Sequence, residues 1–180
     1  MTSVKRIVRP FIFFIGSFTL FLHAEGQNIS TTIKVQAMDM ARALIKNDLV
    51  AFAEFMHPSV IAYAGGREKL KANTDSAAAA MKQFGVQFKK ILIGNPGPII
   101  EYKDQLQSVV PQTTTMQTAL GELEVETSLI AVSMDKGKKW YFIDTNIYKA
   151  DKLKSALPDL SPALLIPPQK QPKFTPQSKN

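Results

Sequence analysis

"MDKGKKWYFID" (Met134–Asp144) holds the only tryptophan of the chain. A charged turn with a glycine, "DKGKK", runs into alternating aromatic and aliphatic residues, the pattern of a hairpin feeding a strand. On that strand Trp140, Phe142 and Asp144 share one face, and Tyr141 and Ile143 share the other. Upstream, "ELEVETSLIAVSM" (Glu122–Met134) opens in strict alternation, with Glu122, Glu124 and Glu126 opposite Leu123 and Val125. "IIEYKDQLQSVVPQTTTMQT" (Ile99–Thr118) reads as a strand, a turn at "KDQ" and a long strand, supported by the β-branched Thr113, Thr114 and Thr115. Pro111 within it implies a bulge or an edge position. "VQFKKILIG" (Val86–Gly94) precedes these, and "GNPGP" (Gly94–Pro98) is a turn cluster. This half of the chain is an antiparallel meander.

The preceding half has helical period. Ile33, Ala37, Met40, Ala41 and Leu44 mark one helix face, with Ser30 or Thr31 as the cap. "KND" (Lys46–Asp48) supplies a helix-ending Asn47 and a new cap in Asp48. "LVAFAEFM" (Leu49–Met56) is a second, short helix with Leu49, Phe52, Ala53 and Met56 on one side, and His57-Pro58 ends it, because the residue before proline avoids the helical region. A third helix runs from Arg67 to Phe84, with a stripe of Leu70, Ala77, Met81 and Phe84 and Gly85 as its stop. Helices first and a meander second predict an α+β fold, with three N-terminal helices packed on one face of a curved antiparallel sheet.

The ends read differently. Lys5, Arg6 and Arg9 precede "FIFFIGSFTLFL" (Phe11–Leu22), an apolar run of 12 residues that is short for a membrane span and suited to a secretory leader ending at Ala24. The expected organisation is a signal peptide over residues 1–24, one domain over 25–157 and an extended tail over 158–180. That tail holds six of the 11 prolines; it is expected to be pinned near Leu164–Ile166 and disordered beyond about Phe174. The expected destination is the periplasm or the extracellular space. A retained leader is the only expected link to a membrane. The leader carries three of the 22 basic residues and none of the 15 acids, so the remainder has 19 against 15, a net of +4. Its lysines are scattered, which argues against nucleic acid as a partner. With no cysteine, thiol catalysis and thiolate metal sites are excluded.

The order of a long helix, "KNDLVAFAEFMHPSVIAYAGG", a further helix and a meander closed by "DKGKKWYFID" resembles the nuclear transport factor two-like superfamily. Polyketide-cyclase-like, ketosteroid-isomerase-like and scytalone-dehydratase-like proteins belong to that group. Two signatures carry the resemblance: a short helix leading into "HP" and a strand (Phe55–Val60), and a charged hairpin with glycine followed by tryptophan (Asp135–Ile143). It covers roughly residues 29–148 and is similar to exported members from Bacteroidetes-type bacteria. What it implies is a cone-shaped α+β barrel with a pocket at the open end, into which enzymatic members place Asp, His or Tyr. Other members bind or associate without catalysis, so fold does not give function.

Asp144, His57 and Tyr63 are the catalytic candidates. A carboxylate beside aromatics has a raised pKa and suits a base. His57 is one of two histidines, the other lying in the leader, so an ordinary zinc site is not available and no metal or cofactor is expected. Tyr63, Gln112, Thr114, Trp140 and Phe142 are the expected pocket lining. No Gly-x-Ser-x-Gly elbow, phosphate loop or dinucleotide glycine pattern is present. Two readings follow. One is an exported non-catalytic module that binds a small apolar ligand or a protein partner, with a homodimer through the sheet among its assemblies. The other is a small cofactor-free lyase or isomerase using Asp144 with His57 or Tyr63.

Overall fold

The computed structural model describes residues 19–147, 153 and 155–177, the first nine of them as backbone. The leader lies outside the described residues as far as residue 18. Among the described residues the order is α1 (Thr19–Ile45), α2 (Leu49–Ala53), α3 (Pro58–Tyr63), α4 (Arg67–Gln83), β1 (Gln87–Ile93), β2 (Ile100–Tyr102), β3 (Gln105–Thr118), β4 (Gly121–Ser133), β5 (Tyr141–Asp144) and β6 (Lys173–Pro176). The fold is α+β: helices N-terminal to an open antiparallel sheet ordered β1-β3-β4-β5, with β2 beside β3 and β6 beside β4.

Helix α1 starts earlier than its apolar period implies, so Ser30 and Thr31 sit inside it rather than capping it. Its end follows the sequence. Asn47 takes φ 56°, its N–H reaches the Leu44 carbonyl, and Asp48 N–H reaches that of Ala43. The last carbonyls of the helix are thereby satisfied. Asp48 then caps α2 by accepting from Ala51 N–H at 3.0 Å.

His57-Pro58 begins a helix where a strand was expected. His57 has extended backbone (ψ 135°), as a residue before proline should. Pro58 then occupies the first helical position, where a missing N–H costs nothing. The result is α3, which makes four helices N-terminal to the sheet instead of three. In α4, Leu70 and Met81 are half-buried, while Ala77 and Phe84 of the expected stripe are exposed.

The sheet is covered on both faces. Register pairs Val110 with Leu129 and Leu129 with Asp144, which puts these side chains on one face. On that face Ile33, Ala37 and Met40 of α1 pack with Val110, Leu129, Ala131, Trp140 and Phe142. On the other face Val60 of α3 and Leu153, Ala156, Leu157 and Leu164 pack with Ile130, Val132 and Ile143. Fully buried Trp140 donates its indole N–H to the Gly137 carbonyl at 2.9 Å. Gln36 of α1 clamps the same turn. Its oxygen accepts from Trp140 N–H and its nitrogen donates to the Lys138 carbonyl, each at 2.8 Å. The turn is closed from within by the Asp135 carboxylate, which accepts from Lys139 N–H at 2.9 Å and Lys138 N–H at 3.1 Å.

Pro111 lies mid-sheet on β3, yet at a local edge. Its carbonyl and that of Val109 accept from Gly94 and Gly97 N–H at 2.8 Å each. The neighbour at that point is the Gly94–Pro98 arch between β1 and β2, so no ladder bond is lost to the missing N–H. Of the segment expected to be disordered beyond Phe174, residues 178–180 lie outside the described residues, while Thr175 and Pro176 instead belong to β6 (Lys173–Pro176), paired with Gly121–Glu124. Gly121 permits this: its φ is 151°, and a Cβ there would lie 2.1 Å from the Thr175 carbonyl oxygen. Lys173 and Lys170 of this segment face the glutamate row, with Lys170 Nζ 2.5 Å from Glu126 and Lys173 Nζ 3.6 Å from Glu124. These exposed pairs set register more than they stabilise.

Candidate functional site

The catalytic candidates are not brought together. Asp144 lies on the α1 face, where Gln112 Nε2 donates to its Oδ2 at 3.0 Å and Asn146 N–H donates to its Oδ1 at 2.8 Å. Burial lifts its carboxyl above the usual carboxylate range, partly offset by bonds from Asn146, Gln112 and Thr127. His57 lies on the opposite face. It packs edge-on against Tyr141, ring centroids 5.8 Å apart, and its Nδ1 accepts from Ser59 N–H at 3.2 Å as the cap of α3. Burial pushes its imidazole below the ordinary value. Tyr63, at the end of α3, is half exposed. Gln112 and Thr114 are buried on the α1 face with the core residues Trp140 and Phe142. Among the described residues no group of three or more His, Cys, Asp or Glu is placed to hold a metal ion.

Concavity lies elsewhere. A cleft of about 300 Å³ opens on the face opposite α1, between the Gly94–Pro98 arch and the C-terminal segment. Gly97, Pro98, Ile100, Val109 and Pro111 form its floor and one wall, and Ala163, Leu164, Leu165 and Pro167 form the other. Asn95 is its one polar side chain, held from outside by Lys34 Nζ at 2.8 Å. No family model, curated protein or solved structure matches this chain. Its chemistry therefore rests on its own residues. None of the cleft residues was singled out as a ligand contact by sequence. The signal was divided: Pro111 marked a local edge, "GNPGP" a turn and "ALLI" an anchorage, and only the sheet register places the three side by side.

A smaller cleft of about 210 Å³ lies between α2, α3 and the hairpin. There Arg67 pairs with Glu54 at 2.7 Å and the Lys139 ammonium sits 4.5 Å from the centroid of the Phe55 ring. Its charges answer one another within the fold.

The Asp144 cluster makes a stability prediction. A carboxyl whose folded pKa exceeds its unfolded value of 3.8 binds more protons in the folded state, so stability falls as pH rises through the folded pKa. Asp144→Asn removes that titration, while a rotated Gln112 amide still matches the asparagine. In urea unfolding between about pH 4 and pH 7, the variant is expected to gain on the wild type as pH rises. A difference that does not change with pH would contradict a half-buried carboxyl that ionises above its unfolded value.

Proposed function

We propose that this chain is an exported, non-catalytic binding module, nuclear transport factor two-like in its cone-shaped α+β build, whose ligand is a small apolar molecule. The observation that carries the ligand is the apolar cleft of about 300 Å³, at the lower end of the range for small-molecule pockets. Its lining offers hydrocarbon and the pyrrolidine rings of Pro98, Pro111 and Pro167, with one amide at the Asn95 end. Apolar contact of this kind selects shape and hydrophobicity and performs no proton transfer. The lyase or isomerase reading needs Asp144 and a second polar group at one cavity, and Asp144 and His57 lie on opposite faces of the sheet.

Leu165 stands at the cleft and is 87% exposed, so its replacement leaves the core untouched. Titration with the apolar fluorophore 1-N-phenylnaphthylamine is expected to give saturable emission enhancement. Leu165→Glu is expected to weaken it several-fold, because a side chain whose carboxylate holds its water replaces hydrocarbon at the rim of an apolar cleft. Absence of saturable binding, or binding unchanged in the variant, would overturn the assignment. Export rests on the leader pattern of residues 1–24, and no helix of the described residues is long and apolar enough to cross a membrane. N-terminal sequencing of the secreted product is expected to start near Glu25; a start at Met1 would refute cleavage.

A further inference from the structure

A third and smaller cavity, of about 40 Å³, lies on the His57 face of the sheet, bounded by His57, Ser59, Gln105, Gln107, Leu157 and Asp159. It is separate from the apolar cleft and does not depend on that reading. His57 is 4% exposed. Its Nδ1 accepts from Ser59 N–H, and an imidazole nitrogen that accepts carries no proton. Burial disfavours the cation. The ring is therefore neutral with its proton on Nε2, and that N–H is buried without an acceptor among the described protein atoms. Buried donors in folded proteins are paired, with protein or with water.

The cavity's other polar groups are arranged to receive a guest that both accepts and donates. Gln107 is already committed: its Nε2 donates to Gln105 Oε1 at 3.0 Å and to the Asp159 carbonyl at 2.7 Å, and its Oε1 accepts from Ser161 N–H at 2.8 Å. Gln105 Oε1 and the Asp159 carbonyl each retain a second lone pair. The guest must then accept one hydrogen bond from His57 and offer protons to carbonyl oxygens. It must also be very small, since one water needs about 10–15 Å³ of such space and ligand pockets start near 300 Å³. We infer that this cavity is a structural water site, in which an internal water accepts from His57 Nε2–H and ties α3 to β3 and to the segment at Asp159.

The test uses the full chain, ¹⁵N-labelled, near neutral pH, with His23→Gln so that His57 is the only imidazole. Long-range ¹⁵N correlation is expected to show Nε2 protonated and Nδ1 as the acceptor. The Hε2 proton is expected to exchange slowly and to give a cross-peak to water with the sign of a long-lived bound molecule. A crystal structure at high resolution is expected to show one to three ordered solvent peaks, one of them within hydrogen-bond distance of Nε2. A proton on Nδ1, a doubly protonated ring, or Hε2 without a water cross-peak would each overturn the site.

Discussion

Trp140→Ala is expected to remove about 3–5 kcal/mol of folding stability, a large part of what a domain of this size possesses. The indole is fully buried where α1 meets β3, β4 and β5. Alanine leaves a void between a rigid helix and a rigid sheet, and neither can move in without breaking the Gln36 clamp. The Gly137 carbonyl also loses its donor. Trp140→Phe separates the two terms: it keeps most of the ring volume and gives up the hydrogen bond, so its cost is expected to be about 1–2 kcal/mol. Urea unfolding followed by far-ultraviolet circular dichroism reads both, since tryptophan emission is lost with the residue. An alanine variant within about 1 kcal/mol of wild type would show that this side chain does not fill the core.

The α+β order was legible because periodicity changes once, near Gly85, and because Asn47-Asp48 and Asp135–Lys139 carry turn chemistry that works locally. Asn47 and Asp48 do in the structure what their side chains predict in isolation. His57-Pro58 was misread because proline after an extended residue both stops one helix and starts another, and only α3 packing through Val60 decides between them. The start of α1 was misread because Ser30 and Thr31 suit a cap but also tolerate a helix interior. The pairing of β6 was missed because its partner is some fifty residues away. What permits it is Gly121, whose φ no sequence period reveals.

The candidate site was less legible for a related reason. Alternation correctly grouped Trp140, Phe142 and Asp144 on one face, and Gln112 with Thr114. It said nothing of which face a helix would fill. Helix α1 fills that one, so Gln112, Thr114, Trp140 and Phe142, expected to line a pocket, became core or core-edge, while Tyr63 stands half exposed at the end of α3. The opposite face, closed by residues 153 and 155–167, keeps the apolar cleft. Its far wall comes from the segment expected to be pinned near Leu164–Ile166, and Leu164 and Ile166 do pack there; the apolar run showed the anchorage but not that a cleft forms between it and the Gly94–Pro98 arch.

Gln107→Leu is expected to detach that wall. Gln107 is fully buried mid-sheet, and its amide makes the three bonds that hold Gln105, Asp159 and Ser161 in place. Leucine matches its size but leaves the Ser161 N–H buried without an acceptor and two oxygens short of a donor. At about 1–3 kcal/mol for each buried orphan, partly relieved by local opening, the expected loss is about 2–5 kcal/mol. Opening should begin beside Ser161, whose carbonyl accepts from Leu164 N–H. Hydrogen exchange at Ser161 and Leu164 is therefore expected to accelerate more than exchange on β4. Because Leu164 and Leu165 wall the cleft, fluorophore binding should weaken under conditions where the rest of the fold persists. Leu165→Glu, by contrast, should weaken binding with stability unchanged. Gln107→Leu with wild-type stability and unaltered exchange would mean that the amide network does not hold the C-terminal segment, and the cleft would then need another support.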